Sequence, residues 1–221
     1  MKKLLMVCAC ALVASMGLFA RGWVGVESRA MQFTHSEYKI ERDGETSSTK
    51  YGDKSFGMFP DLTVKGATYF DARGRFGLTY GVTLDSLLYT DKDKSSGDKD
   101  TSFGFKESVQ FSYVAARKEN MSLSLEIGPS FSEEWYWYDD GESDYSYDRF
   151  WLTMYLDLGG HVMYDLNECL SVRTGLDLSF ELFASGHYSY DRNGYSDSYD
   201  LKEKDVSFVQ VSIPVGFVLR Y

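Results

Sequence analysis

The sequence predicts an all-β chain: an eight-stranded, antiparallel, up-and-down transmembrane β-barrel. Apolar residues recur at every second position in eight separate stretches, and the connections between them alternate short and long. After the first twenty residues nothing approaches the roughly 18 consecutive apolar residues that a membrane helix requires, so any crossing must be made by strands. The last stretch, Asp205 to Tyr221, carries the pattern in its plainest form. Val209, Val211, Ile213, Val215, Phe217, Leu219 and Tyr221 alternate with Gln210, Ser212, Pro214, Gly216, Val218 and Arg220. A strand sends successive side chains to opposite faces, so this run has one apolar face and one small or polar face.

Residues 1–20 read as a separate unit. Lys2 and Lys3 precede an apolar run from Leu4 to Phe19, the build of a secretory signal peptide cut after Ala20 or after Gly17. The exported domain is then 21–221. Cys8 and Cys10 leave with the leader, so Cys169 alone remains and no intrachain disulfide forms. The full chain carries a net charge of −10, which removal of two lysines makes more negative. Such a balance repels phosphate backbones and excludes nucleic acid as a partner.

Trp23 to Phe33 is the first predicted strand, with Val24, Val26 and Ala30 opposite Glu27 and Arg29. Residues 34–57 lose the period and read as a long loop. Leu62 to Phe70 and Phe76 to Asp85 alternate again across a short turn at Asp71–Arg75, so a hairpin is expected. Residues 91–101, with alternating charge, read as a second long loop. The strand near Phe103 to Val114 places Glu107 on its apolar side, so it is expected to enter the membrane only after that residue. Arg117–Asn120 is a turn, and Leu123, Leu125, Ile127, Pro129 and Phe131 form the next apolar row. Residues 132–148 read as a third long loop. Phe150 to Val162 and Leu170 to Leu182 make another hairpin around Asp165–Cys169, and 185–204 is a fourth long loop holding Asn193-Gly194. Pro129 and Pro214 each lack a ladder donor, and a bulge is expected at Pro214.

A final strand that alternates apolar residues and stops on the aromatic Tyr221 resembles the C-terminal assembly signal of bacterial outer-membrane barrels, whose usual last residue is Phe. With eight strands, short turns and long loops, the whole exported chain resembles the small OmpA-, OmpX- and OmpW-like barrels. That resemblance implies an outer-membrane location, short turns on the periplasmic side, long loops outside, and delivery to the assembly machinery through the C-terminal strand. An OmpW-like relative would also admit a narrow channel for small or apolar solutes.

Alternation by itself does not say which face is inside, and a soluble, periplasmic, lipocalin-like ligand-binding barrel would enclose the apolar stripe. Charges of both signs on the polar faces, aromatic residues at strand ends and long strands favour apolar-out. The polar faces then supply a lumen network: Glu27, Arg29, Lys65, Glu126, Asp157, Arg173, Asp177 and Glu181. An eight-stranded barrel is just wide enough for side chains to fill, so these groups are expected to plug it.

No catalytic group is predicted, because no nucleophile, base and orienting residue share a recognisable spacing. His35 and His187 fall in predicted loops, and His161 reads as a hydrogen-bonding residue on the polar face. No cofactor or metal site is expected either, the acidic segments lacking the ligand spacing of an EF-hand. Within 132–148, Glu133, Glu134, Trp135, Tyr136, Trp137, Tyr138, Asp139 and Asp140 combine rigid aromatic area with carboxylates, and no Lys or Arg interrupts Ser132 to Asp148. That is a candidate surface for host or cell-surface ligands.

Overall fold

The computed structural model describes residues 22–42, 44–47, 49–57, 61–92, 99–140, 145–192 and 194–221. The predicted signal peptide lies outside the described residues, as do residues 43, 48, 93–98, 141–144 and 193 of the predicted loops and the connection at 58–60. The strands are β1 (Gly22–Arg42), β2 (Glu45–Thr46), β3 (Tyr51–Gly57), β4 (Leu62–Tyr69), β5 (Phe76–Lys92), β6 (Lys99–Lys118), β7 (Met121–Asp140), β8 (Tyr145–Asp165), β9 (Leu170–Arg192) and β10 (Tyr195–Arg220).

From β4 to β10 each strand pairs with the next, antiparallel throughout, and β4 pairs with β1. The ring closes where β1 meets β10, from Trp23 opposite Arg220 to Arg42 opposite Leu201. β3 runs on in the line of β4 along the same neighbour, β1, and β2 pairs at its tip. Eight strands therefore complete the wall, as the alternation predicts.

The wall is inside-out. Val26, Leu125, Ile127, Val215 and Phe217 are exposed on the outer face, whereas Glu27, Lys65, Gln110, Ser130 and Arg173 are buried within. Burying polar groups while exposing aliphatic ones is unfavourable in water and favourable in hydrocarbon, so this is a membrane-crossing barrel and the lipocalin-like arrangement does not apply. Trp23 departs from the expected aromatic belt. It turns inward, only 3% exposed, while Phe70 and Tyr221 stay on the outside.

The four predicted long loops are mostly strand. β1 continues to Arg42, and β3 folds back on it from Tyr38–Tyr51 to Gln32–Gly57, so 34–57 is largely a ribbon. The 91–101 segment is strand to Lys92 and again from Lys99. Within 132–148, β7 runs to Asp140 and β8 starts at Tyr145, their ladder unbroken from Met121–Tyr164 to Asp140–Tyr145. In 185–204 β9 runs to Arg192 and β10 starts at Tyr195, with Gly194 at φ 78°, a conformation glycine adopts without strain. The apolar period fades here because most of each ribbon runs past the lipid-facing stripe. The backbone ladder persists regardless, in segments rich in Tyr, Thr and Trp.

Pro214 has its bulge, carried by the partner strand. Arg29 pairs with Pro214 and Met31 with Ile213, so Ala30 is the extra residue. Across the other edge Thr174 donates its hydroxyl to the Pro214 carbonyl at 2.9 Å. At Pro129 no residue is inserted. The β6 ladder instead lapses between Ser108–Ser130 and Phe111–Ile127.

The short turns are held by side chains. Asp71 accepts backbone N–H bonds from Arg73, Arg75 and Phe76 at 3.1, 2.6 and 2.7 Å, and Gly74 closes the turn at φ 61°. These donors, Phe76 foremost, hold the Asp71 carboxyl below its usual range. A depressed folded-state pKa stabilises fully above the unfolded value of about 3.9 and is lost as pH falls through the folded one. Asp71→Ala is therefore expected to lower stability at pH 7, and the gap to wild type should shrink as unfolding is measured toward pH 3. On the lipid face, Leu125→Arg is expected to cost about 2–4 kcal/mol in urea unfolding from vesicles.

Candidate functional site: a charged knot across the lumen

The lumen is filled from its walls. Inward positions of β1, β4, β7, β8 and β9 bring Glu27, Lys65, Glu126, His161, Arg173 and Asp177 together. Arg173, 1% exposed, donates from Nη1 to Glu27 and from Nη2 to Glu126 at 2.8 Å. Lys65 Nζ reaches the other oxygen of Glu126 at 2.7 Å. His161 lies 3.5 Å from Glu126 and 2.9 Å from Asp177. One carboxylate, Glu126, thus touches three basic side chains from three other strands.

Each member sits here because strand period and register place it on the inner face at one height. Glu126 is paired with Gly159, and Asp177 with that same glycine across β8. A Cβ at Gly159 would stand 2.4 Å from the His161 ring and 2.7 Å from Asp177. The missing side chain therefore makes room for the histidine. Above the Arg173 guanidinium lies the Trp23 ring, 5.0 Å to its centroid, a cation–π contact in a water-poor interior. Trp23 packs with Ala67 and Val218 into a small apolar layer and points Nε1 at the Tyr69 hydroxyl, 3.4 Å away.

Of the eight predicted network residues, five join this knot: Glu27, Lys65, Glu126, Arg173 and Asp177. Asp157 lies beside it in a second pair with Lys106, at 3.1 Å. Arg29 pairs with Asp61, whose Oδ1 also accepts the Arg29 backbone N–H at 2.7 Å. Glu181 faces inward further along β9, next to Glu203, and does not reach the knot. Sequence reasoning left out Asp61, though it shares the parity of Thr63 and Lys65, and did not place His161 among the charges.

Two cavities that share no lining residue flank the knot. One, of about 70 Å³, is polar and bounded by Glu27, Lys106, Asp157, Asp177 and Gln210. The other, of about 370 Å³, opens at the short-turn end between Trp23, Tyr69, Met163 and Arg220. Trp23, Arg173, Glu126 and His161 lie between them.

The predicted interaction loop has a different form. Residues 133–140 are strand, and the side chains of 133–138 divide between two faces. Glu134, Tyr136 and Tyr138 share the parity of the buried Glu126, Ser130 and Ser132 and face inward, while Glu133, Trp135 and Trp137 face outward. Trp135 packs with Phe103, Phe105 and Phe150 at 5.2–5.9 Å, forming an aromatic belt on the outer wall. Phe105 and Phe103 lie beyond Glu107 along β6, so outward-facing aromatic side chains continue past Glu107. His187, exposed, stands 3.0 Å from Asp200, and His35, half-buried, 4.0 Å from Glu37.

Solved structures share this fold. A major outer membrane protein from Thermus thermophilus is 13% identical and superposes with a TM-score of 0.54, covering 87% of this chain and 100% of that one. The outer membrane protein OprG from Pseudomonas aeruginosa is 12% identical with a TM-score of 0.56, covering 92% and 97%. The fold is that of a small outer-membrane β-barrel. No family model and no curated protein matches the chain.

Removing one partner of a buried pair strands the other's charge. Arg173→Met is therefore expected to destabilise the barrel by about 3–5 kcal/mol, read as a shift in urea unfolding from lipid vesicles. Adding Glu27→Gln should recover part of that loss.

Proposed function

We propose that this chain is a bacterial outer-membrane protein, exported by its leading segment and assembled through its C-terminal strand, with a closed lumen and an envelope-structural and surface-interaction role. The charged knot is the observation that carries this reading. Arg173, Glu126, Lys65 and His161 are nearly dry, and their ion pairs, contributed by four strands, would have to break together to admit a solute. Each lost pairing leaves a buried charge, which opposes thermal opening. In this reading the short turns face the periplasm and the extended ribbons, with Glu133 to Asp140, face outward to meet cell-surface or host ligands. No catalytic role is assigned: His35, His161 and His187 each sit beside a carboxylate.

Planar bilayers test the closed lumen. Purified protein is expected to give no reproducible unitary current steps, and regular steps would favour a narrow, OmpW-like path for small solutes instead. Orientation is tested with a membrane-impermeant maleimide on intact cells. Cys169, exposed in the turn between β8 and β9, should react only after permeabilisation. A Ser198→Cys variant in a Cys169→Ser background should react on intact cells, and the reverse pattern would invert the assignment.

A further inference from the structure

The inner face of the ribbons carries a tyrosine sheet that the closed lumen does not use. Tyr138 pairs with Tyr147, Tyr147 with Tyr190, and Tyr188 with Tyr199, so these rings share one face across β7, β8, β9 and β10. That face continues the lumen side, because β7 and β8 keep an unbroken register from Glu126 and His161 upward. Tyr147 is central, 5.1 Å from Tyr138, 5.6 Å from Tyr136 and 5.2 Å from Tyr188, which is in turn 4.9 Å from Tyr199. The Tyr145 and Tyr188 hydroxyls lie 3.2 Å apart. Burial and that neighbour push the Tyr188 phenol upward, so this phenol stays neutral and its ring keeps its electron-rich face.

Two observations select the chemistry that fits. First, the rings already accept cations from this chain: the Arg42 guanidinium lies 3.5 Å above Tyr199, and that of Arg149 lies 5.5 Å from Tyr136. Second, the surrounding ribbon is acidic, with seven Asp or Glu and no Lys or Arg from Ser132 to Asp148. Glu134 and Glu203 face inward at the base of the sheet. An anionic partner is repelled by this charge, and a neutral glycan gains nothing from it. A cationic one gains twice, from the field and from the ring faces.

We infer that the tyrosine sheet is a docking surface for a basic peptide segment of a partner, its Arg or Lys side chains laid across Tyr147 and Tyr188 while the ribbon carboxylates attract it. This rests on the reading that the ribbons face outward.

The test uses full-length protein in lipid nanodiscs and a fluorescent peptide of alternating Arg and Gly, followed by anisotropy. Wild type should bind it and ignore the matching Gln-Gly peptide. Tyr147→Leu with Tyr188→Leu should weaken binding about tenfold or more, from two cation–π contacts of about 1 kcal/mol each. Phe217→Leu, on the lipid face of the wall, should leave it unchanged. Folding is checked by the heat-dependent gel mobility of an intact barrel; if the double variant fails that check, Tyr188→Leu alone should weaken binding and Tyr188→Phe should keep it. Unaltered affinity in the leucine variants, failure of wild type to bind, or displacement by a neutral oligosaccharide would each overturn the inference. If the Ser198→Cys variant stays unlabelled on intact cells, the outward-facing reading is overturned instead, whatever the peptide does.

Discussion

Closure of the β1–β10 seam is the constraint on which everything else here depends. In hydrocarbon a backbone N–H or C=O has no water to turn to, so a sheet with an open edge is excluded. The chain meets this by bringing its first and last strands together in register. The seam also absorbs Pro214, which offers no donor: an extra residue in β1 removes the need for one, and Thr174 satisfies the proline's carbonyl from the other side. Gly22 and Tyr221 exchange backbone bonds at 3.2 and 3.1 Å, carrying the ladder through Tyr221.

Once the ring is closed with apolar residues outward, the charged groups on its narrow inner face must satisfy one another. The knot around Glu126 is the result. Charges of both signs from five strands occupy one layer, and Gly159 yields the volume that His161 needs. Such a core adds little net stability over an apolar one of the same shape, because desolvation offsets the attraction. What it secures is consistency: each member would be stranded if a neighbouring strand slipped by one residue and turned its partner toward lipid.

Beyond the bilayer the same wall continues under different rules. Water bathes the outer face, the lipid-facing stripe is no longer required, and aromatic rings take over as the cross-strand contacts. The two faces of the β7–β8 ribbon consequently diverge in chemistry, Trp135 and Trp137 outside, tyrosine, Arg149 and Trp151 inside. A single run of residues, Glu133 to Tyr138, thus contributes to two surfaces that cannot serve one ligand together.

What the sequence determined by itself was the period, the strand number, the short turns and the set of polar-face residues, because a two-residue repeat is enforced wherever one face meets lipid. Val209 to Tyr221 carries that repeat on every other residue, and Glu27, Lys65, Glu126, Arg173 and Asp177 were legible as inward groups for the same reason. Where lipid no longer enforces the repeat, at 34–57, 132–148 and 185–204, strand and loop look alike in one dimension, and only cross-strand pairing distinguishes them. The tertiary structure also decided partners. Glu126 and Arg173 are 47 residues apart, Asp61 and Arg29 are 32, and no local signal encodes either distance. They meet because ring closure and register set their heights on the wall.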